Sequence, residues 1–219
     1  MADDPVVEEG WVDHAVAAEF PGLRLRWMDR PAPASRGRAS PEGLRMQLRR
    51  LSGRFSGAKA VALRREPIPH AYRVFFRSIG LDPDTTRTPI EALALDRLFD
   101  GGFVSRGHLE DALAVALIET CVGLWAVDAG RLDGPLGIRL ARDGERLGTG
   151  EHADELPGGR LVVADAGAPV AVLFGDVAAR MRPSASTRTL RVFALQVTGV
   201  PEIYVEEALW LCAEALDGT

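Results

Sequence analysis

Cysteine is nearly missing from the 219 residues: Cys121 and Cys212 are the only two. That is too few for a disulfide framework or a cysteine-rich metal site. Both sit in apolar helical contexts, the setting of buried free thiols rather than reactive ones. No apolar run approaches the roughly 20 residues that cross a bilayer, and ALAVALI at 112–118 stops at Glu119. The acidic start MADDPVVEEG lacks the basic-then-apolar order of a secretory leader. These absences lead to the expectation of a reduced, cytoplasmic protein with no membrane partner.

The motifs that announce common chemistries are missing too. There is no G-x-x-x-x-G-K-[S/T], no Rossmann glycine fingerprint, no H-E-x-x-H and no G-x-S-x-G. His14, His70, His108 and His152 are scattered without metal-ligand spacing and read as surface or cap histidines. Asp82, Asp84 and Asp100 read as turn and cap acids rather than a catalytic pair. Neither a metal nor a cofactor is expected.

What is present is an uneven charge. From Arg24 to Arg77 there are fourteen basic residues, including the only lysine, Lys59, against three acids. That segment carries about +11 and the rest about −16, within a total of −5. Such a basic region either meets an acidic partner, of which a nucleic-acid backbone is one, or pairs with the protein's own acidic half.

The hydrophobic periods divide the chain. Trp11 to Arg30 reads as one or two strands around a turn at Phe20-Pro21-Gly22, and LRLRWM alternates at period two. PAPASRGRASPEG, 31–43, reads as a loop or short mobile linker. A basic amphipathic helix follows, capped by Ser40 with Pro41 first and with Leu44, Leu48, Leu51 and Phe55 on one face. The spacing predicts a second helix over 69–79 with Val74, Phe75 and Ile79 inward. A third starts at Thr88-Pro89 with Glu91 completing a capping box. A fourth, mostly apolar and so central, covers about 108–122. After Gly123 five strands are predicted, LWAVD, GIRLA, RLVVAD, PVAVLF and LRVFALQV, then an amphipathic helix from Pro201 to about Leu216. Helices against a mostly antiparallel or mixed sheet make an α+β fold, not alternating βαβ units.

The runs YRVFFRSIGLDPDTTRTPIEAL (72–93), EDALAVALIE, AVDAGRLDGPLGIRLARDGE (126–145), GGRLVVAD (158–165) and STRTLRVFALQV (186–197) together resemble the B3/B4 domain. In the bacterial phenylalanyl-tRNA synthetase β subunit this domain hosts the site that hydrolyses mischarged tyrosyl-tRNA, and free-standing versions exist. The free-standing form is the better match, through Gly80-Leu81-Asp82-Pro83, Thr86-Arg87 and Glu91-Ala92-Leu93. The likeness covers roughly 70–197, more weakly 12–26. It implies a single B3/B4-like domain over 1–219, with a divergent extension at 1–68, a core at 69–199 and a C-terminal helix at 200–219.

The resemblance implies tRNA as partner and ester hydrolysis of a mischarged aminoacyl-tRNA as activity, with no DNA partner. It also marks departures. Leu113 and Ala114 stand where the synthetase pocket has a Thr-Asn pair, Trp125 stands in place of a histidine, and Asp176 is the nearest counterpart of a glutamate. Asp176 is then the candidate catalytic residue, ordering a water or binding an ammonium group. Trp125, Asp128, Arg139 and Ala114 are candidate substrate-binding residues, although from the strands alone an ion pair between Asp128 and Arg139 across a hairpin is the favoured reading for Arg139. Arg45, Arg49, Arg73, Arg77 and Arg87 are the candidate tRNA contacts. With the polar pocket residues largely replaced, the alternative is a non-catalytic domain that binds a small amino acid-like ligand or a protein partner.

Overall fold

The computed structural model describes residues 6–33, 39–148 and 153–218, which divide into two compact units. Residues 34–38 of the expected linker, and His152, lie outside the described residues. The first unit takes the chain up to Ala32 together with Trp125–Gln196, and the second takes Pro33–Leu124 with Val197 onward. Strands gather in the first and all the longer helices in the second, the α+β arrangement that the periodicity predicts. Among the described residues no helix is long and apolar enough to cross a membrane.

In the first unit the strands are β1 (Glu8–Glu9), β2 (Trp11–Val12), β3 (Arg24–Pro31), β4 (Leu124–Asp128), β5 (Gly137–Leu140), β6 (Arg146–Leu147), β7 (Asp154–Glu155), β8 (Leu161–Ala164), β9 (Pro169–Val172) and β10 (Thr189–Gln196). All five strands expected after Gly123 form, but they divide between two sheets, ordered β1-β3-β10-β4 and β2-β5-β8-β9. A six-residue helix, α1 (His14–Glu19), interrupts the expected N-terminal strands. Gly10 is where the chain passes from one sheet to the other. Its N–H donates to the Leu25 carbonyl on β3 at 2.8 Å, and the next N–H, on Trp11, donates to Leu136. A Cβ at Gly10 would lie 2.6 Å from the Leu136 carbonyl oxygen, a backbone atom that cannot swing aside, so only glycine fits.

The longest pairing is antiparallel β3 with β10, in a register that sets Trp27 opposite Phe193 and Asp29 opposite Arg191. Because side chains alternate faces, Leu25, Trp27 and Asp29 share one side with Leu195, Phe193 and Arg191. Arg191 holds Asp29 through two hydrogen bonds of 2.8 and 2.7 Å. Its guanidinium lies 3.6 Å over the Trp27 ring, a cation–π contact on the same cross-strand face.

The second unit comprises α2 (Glu42–Arg54), α3 (Gly57–Ala62), α4 (Pro67–Ser78), α5 (Pro89–Asp100), α6 (His108–Thr120) and α7 (Glu202–Asp217). Leu44, Leu48 and Leu51 of α2 are buried as their spacing predicts. Ser40 does not cap that helix: its hydroxyl donates to Asp111 on α6 at 2.5 Å instead. On α4 the inward face turns by one residue from the expected one. Tyr72, Phe75 and Phe76 are buried and Val74 is exposed, because three rings at i, i+3 and i+4 bury more apolar area than a valine. The capping box at Thr88 and Glu91 forms as expected. His108, read above as a surface or cap residue, opens α6 but is buried, its Nε2 2.9 Å from the Ala215 carbonyl of α7.

Candidate functional site

Trp125, second residue of β4, is the centre of an aromatic cluster in the first unit. Its indole stacks on Phe193 of β10, with ring centroids 5.8 Å apart and planes at 16°. Phe174 meets it edge-on at 5.7 Å and 73°. The indole itself is only half-buried. Part of the residue is therefore open to solvent, and two other rings hold its orientation.

Phe174 reaches the indole from a tight turn after β9, where the Val172 N–H donates to the Asp176 carbonyl at 3.0 Å and the Gly175 N–H to the Val172 carbonyl at 2.9 Å. At φ +58° Phe174 occupies the left-handed region, a conformation that costs a non-glycine residue about 1–3 kcal/mol and persists only where its surroundings hold it. A Cβ at Gly175 would sit 3.0 Å from that of Val172, a tight approach that favours glycine there. Asp176 follows at the tip. It is exposed, and its carboxylate has no hydrogen bond or ion pair among the described residues. A strained turn thus presents a ring to Trp125 and an unpartnered carboxylate to solvent. A half-exposed indole and a carboxylate with two acceptor oxygens are groups of the kind that seat an aromatic ring and hold a water or an ammonium group.

Asp128 and Arg139, by contrast, are structural. The expected ion pair between them does not form, because β4 and β5 belong to different sheets and are not a hairpin. Asp128 is buried, accepting from the Thr187 hydroxyl at 2.7 Å and the Gly130 N–H at 3.1 Å, with Arg131 at 3.3 Å. Arg139 makes a two-point ion pair with Glu145, at 2.7 and 2.6 Å, and Glu145 also accepts the Arg142 N–H at 2.9 Å. The Arg139 hydrogen bonds, then the Arg142 N–H and the nearby positive charges, hold the Glu145 carboxyl below its ordinary value of 4.5 against the opposing effect of partial burial. A carboxylate whose folded pKa is depressed contributes stability that is fully present above its unfolded value and is lost as pH falls through the folded one. Glu145→Gln is therefore expected to lower the melting temperature at neutral pH and to shrink the loss on acidification below 4.5, in a melting series across that range.

The candidate phosphate contacts fall in the second unit. Arg45 and Arg49 both pair with Glu42, Arg49 at 2.7 Å, along the exposed side of α2. Arg50 and Arg54 are exposed on the same helix, and Arg77 and Arg87 are exposed on α4 and just before α5. Arg73 is different: it is buried and donates to Glu91 and Asp84, each at 2.7 Å. Glu91 thus buttresses the loop entering α5, while Arg87 faces solvent. Ala114 also lies in this unit, on α6, lining a small cavity of about 140 Å³ with Leu48, Phe103 and Asp111. Asp111 there accepts from the hydroxyls of Ser40 and Ser105 and from the Arg106 N–H, so its carboxylate is fully engaged in holding the loop before α6.

Both cysteines are free, Cys212 buried and Cys121 partly so, and burial pushes the Cys121 thiol up to about 11. A thiol that resists ionisation is a poor nucleophile. Among the described residues no group of three or more His, Cys, Asp or Glu side chains is arranged to hold a metal ion. The sequence reading placed Trp125 and Asp176 in the site but missed the two rings that hold Trp125. Phe193 was legible through the alternation of LRVFALQV, which sets it on one face with Arg191 and Leu195. No protein-family model and no curated protein matches this chain.

Proposed function

We propose that this protein binds the charged acceptor end of a tRNA and hydrolyses an aromatic amino acid from it. What supports it is the Trp125–Phe193–Phe174 cluster, with the exposed, unpartnered Asp176 two residues after Phe174 in the same turn. An aminoacyl ester is already activated, so its hydrolysis needs a positioned water more than a strong nucleophile. The aromatic side chain stacks on Trp125, and Asp176 accepts a hydrogen bond from the attacking water, fixing its approach. Attack at the ester carbonyl breaks the bond to the ribose oxygen, releasing a free amino acid and an uncharged tRNA. Discrimination follows from ring stacking, which an aliphatic amino acid cannot match.

The resemblance to free-standing B3/B4 domains and the arginine-rich 24–77 segment support the RNA half of the reading. Arg50 on α2, with Arg77 and Arg87, are exposed cations with no ion pair among the described residues and so are open to phosphates. Filter binding with charged and uncharged tRNA over a salt series tests it. The affinity is expected to fall by decades as salt rises. tRNA carrying an aromatic amino acid should bind about tenfold tighter than uncharged tRNA, as one ring stack would give, and Trp125→Ala should abolish the difference. Absence of tRNA binding at low salt would sink the proposal.

A second reading rests on the arginines themselves. Arg73 is buried, and Arg45 and Arg49 share Glu42, so three of the five expected phosphate contacts are already paired within the protein. This favours a free amino acid-like ligand at the same aromatic site. A free aromatic amino acid would then quench Trp125 fluorescence in a protein that ignores tRNA.

A further inference from the structure

We infer that the second unit carries a self-association site, in which the groove between α3 and α5 receives the outward face of α7 from a second copy. The groove, about 340 Å³, is walled by Val61, Ala94, Leu95 and Leu98, with Arg64 and Arg87 among its lining. Val61 is 76% exposed and Phe99, next to Leu98, is 79% exposed. Val61 and the 46% exposed Leu98 line the same groove, and large apolar side chains exposed together are uncommon on a surface with no partner. Arg87 makes no ion pair among the described residues, whereas Arg64 shares Asp84 and Glu91 at 3.3 and 3.6 Å.

The complementary surface is α7, EIYVEEALWLCAEALD, which contains no basic residue. Val205, Leu209 and Cys212 are buried, while Ile203 and Trp210 are left 56% and 42% exposed. Ile203 and Trp210 are seven residues apart, two helical turns, so they lie on one exposed face of α7 with Glu207 between them. An amphipathic helix with anchors at i and i+7 is the usual occupant of an apolar groove, and tryptophan is the side chain most enriched at the centre of interfaces. The charges match as well: the groove offers an unpaired arginine and the helix offers only acids. Groove and helix belong to the same unit, and a reciprocal exchange of the contact about a twofold axis closes the dimer this inference predicts. This inference does not rest on the tRNA reading.

Sedimentation velocity from micromolar to several hundred micromolar protein tests it. The full chain is expected to dimerise reversibly, more weakly at high salt. Leu98→Glu and Trp210→Glu, both surface changes whose folding is checked by circular dichroism, should each weaken the dimer by on the order of thirtyfold. Arg87→Glu and Glu207→Arg should each weaken it too, and an equimolar mixture of those two variants should recover a dimer that neither forms alone. A monomer at every concentration overturns the proposal. So does a dimer that Leu98→Glu and Trp210→Glu leave unchanged, or a charge-swapped pair that fails to recover it.

Discussion

Arg73→Ala is expected to lower folding stability by about 3–5 kcal/mol, the range for removing one partner of a buried ion pair. Arg73 is 5% exposed and Glu91 is 7% exposed, and they meet at 2.7 Å. Burial alone disfavours the guanidinium's charge, yet the hydrogen bonds to Asp84 and Glu91 outweigh it and raise the pKa of Arg73. Truncation strands the Glu91 carboxylate with only Arg64, at 3.6 Å, to oppose its charge. Glu91 also accepts the Thr88 N–H and hydroxyl at the start of α5, so the damage reaches the helix cap. Replacing both partners with apolar residues, Arg73→Met with Glu91→Leu, should recover all but the capping contribution of about 1 kcal/mol. Urea unfolding of the single and double variants separates these effects. Any RNA-binding defect of Arg73→Ala then follows from lost structure rather than a lost phosphate contact.

Phe193→Ala carries the second large effect, about 3–5 kcal/mol for emptying a buried phenylalanine site. Phe193 is 1% exposed, pairs across the sheet with Trp27, and backs the Trp125 indole. Phe193→Leu keeps most of the apolar volume and is expected to cost about 1–2 kcal/mol. It removes the flat surface against which the indole stacks. The folded Phe193→Leu protein should therefore lose ester hydrolysis more than stability, and kinetics beside a melting curve measure the two separately. Equal losses in both would place Phe193 in the core alone.

Much of the fold was legible because its signals are local. The Thr88-Pro89-Glu91 start of α5 and the alternation in LRVFALQV depend on neighbours in sequence. The division of the five C-terminal strands between two sheets was not legible, because it depends on the passage at Gly10 and its close approach to Leu136, 126 residues further on. The same nonlocality misplaced Ser40, whose position before a proline reads as a cap until Asp111 comes within 2.5 Å. On α4, apolar residues at 72, 74, 75, 76 and 79 allow two helical faces, and only packing decides that the rings go in. Trp125 and Asp176 were singled out through a resemblance; the first is half-buried on β4 and the second exposed in the turn after β9. The apparent phosphate ligand Arg73 could not be separated from its neighbours by sequence, since a buried arginine and a solvated one look alike until their partners are known.

In the proposed complex an aromatic aminoacyl ester sits against Trp125 with Asp176 holding the attacking water. Its most direct test is the rate of ester loss from tRNAs charged with a panel of amino acids, measured with the wild-type protein and with the Trp125→Ala, Asp176→Ala double variant. The protein is expected to accelerate loss of an aromatic ester and to do little for aliphatic ones, with a return to the uncatalysed rate in the folded double variant. Equal loss of every ester with and without the protein would contradict it, as would acceleration that survives both substitutions.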